Sequence, residues 1–133
     1  MTIEYLSETR ADVTRIHVCI TCRAEVGEEP RAGALMFGAL QAAFNDDPAV
    51  QVIPVECLSV CKRPCSVAFS APGKWTYVYG DLPADTGVAV VREAAALYGA
   101  TTDGLIPWRL RPDAIKKGVV ARIPPLPIPS QAS

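Results

Sequence analysis

Val13-Thr14-Arg15-Ile16-His17-Val18-Cys19 and Val50-Gln51-Val52-Ile53-Pro54-Val55-Glu56 decide the fold. Both are rich in β-branched residues, which suit the pleated, half-buried surface of a sheet. Between them Leu35, Met36, Ala39, Leu40, Ala43 and Phe44 recur at helical period and make one apolar stripe. The helix is expected to begin near Arg31 to Gly33. It should stop at Asn45-Asp46-Asp47-Pro48, because the residue before a proline avoids helical backbone. Gly38, which costs a helix about 1 kcal/mol relative to alanine, reads as a close-packing point. A strand–helix–strand unit of this length is a right-handed parallel crossover. Pro54 cannot donate a ladder hydrogen bond, so its strand belongs at an edge or is short with a bulge near its end. Both strands then end at the same edge of the sheet, and the loops that follow them are expected to meet there.

Those two loops carry all five cysteines of the chain. Cys19 and Cys22 lie in Cys19-Ile20-Thr21-Cys22. Cys57, Cys61 and Cys65 lie in Cys57-Leu58-Ser59-Val60-Cys61-Lys62-Arg63-Pro64-Cys65. Thiolates converging from two loops build soft-metal and iron–sulfur sites. Cys19 with Cys22, and Cys57 with Cys61, each have a chelating spacing. Two plus two fits tetrahedral zinc, and it fits a [2Fe–2S] cluster with one pair on each iron. Lys62, Arg63 and local backbone N–H groups can offset the charge of gathered thiolates. The single histidine, His17, alternates with Cys19 along the first strand and reads as a packed strand residue. A dithiol redox motif is a third reading of Cys19 and Cys22. Against it, the helix is separated from Cys22 by a polar stretch of sequence, and three cysteines would have no task.

The rest of the chain supplies a hairpin and a second helix. Ser66 to Ser70 and Trp75 to Tyr79 read as strands joined by the turn Ala71-Pro72-Gly73-Lys74. Asp85 can cap a helix from Thr86 to Tyr98 that ends at Gly99, with Val88, Val91, Ala95 and Tyr98 facing inward. The order βαβ followed by ββα is an α/β arrangement of thioredoxin-like type, with a four-stranded mixed sheet. Residues 1–99 form this metal- or cluster-binding domain, and Met1 to Asp12 shows no clear pattern. Residues 100–133 read as an extended proline-rich tail packing on the core or on a partner, with a short helix around Asp113 to Gly118. Trp108 and the stretch from Ile123 to Ile128 are its apolar points.

Bulk composition agrees with one globular domain. The chain has 133 residues, half hydrophobic and a fifth charged. Net charge is −1 with no basic run, which argues against nucleic acid or a membrane surface as partner. No apolar stretch is long enough to span a bilayer, and the polar N-terminus lacks a signal-peptide core. The expected location is the cytoplasm, where clustered cysteines more often bind metal or act catalytically than form disulfides.

Cys57-Leu58-Ser59-Val60-Cys61, with the proline, apolar strand, Pro72, Trp75 and Tyr77 that follow, resembles the second half of thioredoxin-like [2Fe–2S] ferredoxins and related subunits of respiratory complex I and hydrogenases. The likeness covers about Val13 to Gly99. It implies a cluster held by Cys19, Cys22, Cys57 and Cys61, a low potential near about −400 mV, a redox protein partner and a homodimer. It also implies an electron carrier rather than an enzyme in its own right. The first pair is more tightly spaced here, and Cys65 stands where that family has no ligand, either as an alternative ligand or as a neighbour of the cluster. The whole chain, including Gly73-Lys74-Trp75 and Ala121-Arg122-Ile123-Pro124-Pro125, is similar to a bacterial family described only as predicted metal-binding proteins, often encoded near cobalamin-synthesis genes. That likeness implies the alternative of a zinc- or cobalt-binding protein or metallochaperone.

Overall fold

β1 (Thr14–Cys19) runs parallel to β2 (Val50–Val55), with Thr14 opposite Val50 and Cys19 opposite Val55. The computed structural model that shows this describes residues 13–23, 27, 29–60, 62–83 and 86–125. Met1 to Asp12, Cys61, the proposed cap Asp85 and the end of the tail from residue 126 lie outside the described residues. On its other side β1 pairs antiparallel with β3 (Val67–Ser70), which pairs antiparallel with β4 (Thr76–Tyr79). Helix α1 (Ala32–Ala43) makes the crossover, and α2 (Gly87–Gly99) follows the hairpin. The expected βαβ–ββα order is present, and the strand with Pro54 is at an edge.

The sheet has five strands, not four, in the order β2-β1-β3-β4-β5. β5 (Val119–Ile123) comes from the segment read as extended tail and pairs antiparallel with β4. Its β-branched residues suit a strand. Pro124 and Pro125 then end it, since neither can donate to a ladder. A 3-10 turn (Trp108–Leu110) and the short helix α3 (Asp113–Gly118) lead into it. The prolines around these residues concealed the strand in the sequence.

Register builds the core. Ile16 lies opposite Phe69 and Val18 opposite Val67, while Phe69 lies opposite Tyr77 and Val67 opposite Tyr79. Side chains opposite one another share a face, so these six make one apolar face, and all are buried. Met36 and Leu40 of α1 join the same cluster, as do Val91, Ala94, Ala95 and Tyr98 of α2. Phe69 packs edge-on to Tyr79 and to Tyr98, at centroid distances of 5.4 and 5.7 Å. Among the described residues no helix is long and apolar enough to cross a membrane.

The phase of α1 differs from its sequence stripe. Gly33, Met36 and Leu40 are buried, whereas Leu35 is 59% exposed. A stripe two residues wide does not fix which edge faces the sheet. Gly33 fixes it, by packing against the first cysteine loop. Gly38 has no neighbour that a methyl group would meet, so the close-packing point is Gly33 instead.

The hairpin turn is tied to the end of α2. Lys74 Nζ donates to the carbonyls of Tyr98 (3.1 Å) and Gly99 (3.4 Å), where the helix dipole favours a cation. The Tyr98 hydroxyl donates to Trp75 O at 2.6 Å. Trp75 N–H donates to Asp103 O at 2.8 Å, and Gly104 follows with φ +86°. A Cβ on Gly104 would lie 2.9 Å from Trp75 N. Gly104→Ala is expected to cost about 1–3 kcal/mol. The check is the urea midpoint, which should fall with little change in slope; an unchanged midpoint would contradict this packing.

Candidate metal centre

Parallel pairing carries both cysteine loops to one edge of the sheet. Ile20 N–H donates to Val55 O at 2.9 Å, just beyond the last register pair. On the other side of β1, Cys19 N–H donates to Ser66 O at 3.2 Å. The Cys19–Cys22 loop is therefore held between the end of β2 and the start of β3.

The start of α1 closes this loop from a third side. Gly33 N–H donates to Cys22 O at 3.0 Å, satisfying one of the N–H groups that a helix start leaves without an intrahelical partner. A Cβ at Gly33 would lie 2.0 Å from Cys19 O, so only glycine fits. The polar stretch that separates Cys22 from the helix in sequence does not separate them in space. Arg31 also donates to Thr21 O, at 3.4 Å.

The two thiols of the first pair are buried and in contact. Burial opposes ionisation of Cys19. It is outweighed by hydrogen bonds from the Leu58 N–H, the Cys22 thiol, and the Thr21 hydroxyl and N–H, which together lower its pKa from 9.0 to about 7. Burial pushes the Cys22 thiol up, and the adjoining Cys19 adds to this, while Ser66 opposes it. Cys22 Sγ lies 3.4 Å from Ser66 Oγ. Cys19 Sγ lies 3.7 Å from Glu56 O and 3.6 Å from Thr21 Oγ1.

The two loops are linked directly at Glu56, the residue before Cys57, whose carbonyl accepts the Thr21 hydroxyl and lies beside the Cys19 thiol. Cys57 itself is exposed. Its sulfur accepts the Ser59 N–H at 3.2 Å, with Ser59 held at φ 61°. Cys65 is 4% exposed and belongs to the hydrophobic cluster with Val67 and Leu82. Cys61 is outside the described residues. Among the described residues no three Cys, His, Asp or Glu side chains gather as a chelating group. The donor chemistry nonetheless suits a thiolate-bound metal: Cys19 receives N–H and O–H donors, and Cys57 receives a backbone N–H. His17 hydrogen-bonds to Ser70, with Nε2 3.0 Å from Oγ, and burial followed by the Arg15 charge lowers its pKa.

The second loop is clamped from below. Arg63 pairs with Asp81 (2.7 Å) and donates to Lys117 O (3.0 Å). Its carbonyl accepts the Asp81 N–H at 2.8 Å. A Cβ at Gly80 would lie 2.8 Å from Arg63 O, and one at Gly118 would lie 2.8 Å from Gly80 O. The segment after residue 99 thus supports the cysteine loop. Thr21, Ser66 and Gly33 were not singled out in the sequence, and Arg63, read there as offsetting thiolate charge, is paired with Asp81 and Lys117 O. Each acts through a backbone atom of a distant segment, and no spacing rule marks such contacts.

The chain belongs to the family described as Protein of unknown function (DUF1636), whose model matches residues 16–125. No curated protein matches it. Among solved structures it is similar to a thioredoxin-like [2Fe–2S] ferredoxin from Aquifex aeolicus. That match has a TM-score of 0.55 and 16% identity, over 87% of this chain and 98% of that one. A crystal structure of the wild-type ferredoxin gives 0.54 and 16%, over 82% and 97%. A cysteine-to-serine variant of it gives 0.52 and 16%, over 81% and 98%. The fold is therefore of the thioredoxin-like ferredoxin type.

Two outcomes follow from this geometry. In metal-free protein, the first rise in ultraviolet thiolate absorbance should have its midpoint near pH 7, with Cys19 ionised above it. Thr21→Val removes the hydroxyl that lies beside the Cys19 thiol and donates to Glu56 O, and should move the midpoint upward; no movement would contradict a part for this hydroxyl in lowering the Cys19 pKa. Gly33→Ala should cost about 2–4 kcal/mol, because the clash is with backbone that cannot swing away. Chemical denaturation measures it, and wild-type stability would show that α1 does not seat on the loop.

Proposed function

We propose that the chain is a one-electron carrier holding one [2Fe–2S] cluster on Cys19, Cys22, Cys57 and Cys61, rather than an enzyme in its own right. The observation that carries the reading is the meeting of the two cysteine loops at one sheet edge, where the Thr21 hydroxyl donates to Glu56 O and Cys19 Sγ lies 3.7 Å from the same oxygen, one residue before Cys57. The ferredoxin-type fold supports the same reading. The cluster would supply one-electron exchange. The chain's own part is ligation by four thiolates, N–H donors that lower charge on sulfur, and burial that sets the potential. Cys65, inside the core, is read as a packing residue beneath the loop and not as a ligand.

A second reading has an observation of its own. Cys19 and Cys22 are in contact, Cys19 carries the lower pKa, and a helix start adjoins their loop. These are features of a dithiol that exchanges with disulfides. It leaves Cys57 and Cys61 unused and is the less economical account. Zinc or cobalt on the same four thiolates is separated from iron only by analysis of the bound metal.

The test is a cysteine series on anaerobically prepared protein, read by visible absorption and by the EPR spectrum of the reduced form. Cys57→Ser and Cys22→Ser are each expected to shift or abolish the iron–sulfur signals, while Cys65→Ser keeps them. Signals indifferent to Cys57 and lost with Cys65 would reverse the ligand assignment. Disulfide exchange by a colourless protein, abolished by Cys19→Ser, would favour the dithiol.

A further inference from the structure

The second cysteine loop and β5 enclose a groove of about 380 Å³ lined by Ser59, Val60, Lys62, Arg63 and Val120. Among the described residues no acidic one lines it. Arg63 is committed to Asp81, but Lys62 is exposed and has no ion-pair partner among the described residues. The two segments that form the groove are rich in bases. Segments 59–63 and 108–123 carry seven Lys and Arg against one acid, Asp113. The Arg63 side chain binds Lys117 O, so Lys117, also exposed, adjoins the loop. Lys116 and Arg111 lie over the ring of Trp108, at 5.6 and 5.5 Å, and that ring is 60% exposed. Val120, 40% exposed, supplies an apolar point within the groove. In the sequence these bases are scattered. Folding the last segment against the cysteine loop brings Lys117 beside Arg63.

We propose that this groove is the docking surface for an acidic protein partner, whose carboxylates meet Lys62 and Lys117 while an apolar side chain seats on Val60 and Val120. The proposal rests on the electron-carrier reading for what the partner does, which is to exchange an electron beside the second cysteine loop. The form of the surface suits that task. Weak redox encounters use small interfaces, and opposite charge raises their rate of association more than their lifetime. A second copy of this chain is the poorer occupant, because the surface would meet its own charge.

The probe is a dye-labelled glutamate decapeptide, with a glutamine decapeptide as control, titrated by fluorescence anisotropy into the full chain as purified. The glutamate peptide should bind and the glutamine peptide should not. Binding should weaken steeply between about 20 mM and about 200 mM salt. Lys62→Glu and Lys117→Glu are each expected to weaken it about tenfold. Arg92→Glu changes net charge equally, on an exposed position of α2, and should change binding less than about twofold. Equal losses in all three variants would show adventitious attraction to a charged protein and overturn the proposal, as would no binding at low salt. Signals that depend on the protein's own concentration and not on the peptide would assign the groove to a second copy, and also overturn it. The visible spectrum of the same samples separates the two claims. A colourless protein that passes the peptide test loses the electron-carrier reading and keeps the docking surface; a coloured one that fails it does the reverse.

Discussion

The parallel register of β1 and β2 is the constraint on which the rest depends. Cys19 stands opposite Val55, so one loop begins where the other does. A parallel pair needs a crossover, and α1 supplies it. With the helix on the core face, both loops are left at the sheet edge. The Glu56 carbonyl then meets the Cys19 thiol and the Thr21 hydroxyl without any long-range search. A register slip by one residue would turn Ile16 and Val18 away from Phe69 and Val67 and would separate the loops. Core packing and site assembly are thus secured by the same strand pairing.

Three further elements hold the loops once they meet. The start of α1 presses Gly33 on the first. Ser66, at the start of β3, receives the Cys19 N–H and lies beside the Cys22 thiol. The segment between α2 and β5 holds the second loop through Arg63, Asp81 and the Lys117 carbonyl. The C-terminal part of the chain is therefore a structural component of the cysteine edge. It also brings Lys117 beside that edge.

The βαβ–ββα order, the edge position of the Pro54 strand and both long helices could be read from residue periodicity and turn chemistry. Cys19, Cys22 and the second cysteine loop could be read from spacing. β5 could not, because its five residues sit between prolines that pointed to an extended tail. The phase of α1 was off by a residue, since Leu35 and Met36 are equally apolar and only the close approach at Gly33 distinguishes them. The backbone contacts of the first loop were hidden for another reason. Backbone groups have no residue type, so the contacts with Glu56 O and Ser66 O become visible only when strand register places them.

The most direct test of the account is the content of iron, acid-labile sulfide and zinc in anaerobically purified protein. A cluster shared by the two loops predicts about two iron and two sulfide per chain, with little zinc. A chain that carries one zinc or cobalt and no sulfide, or none of these, would contradict it.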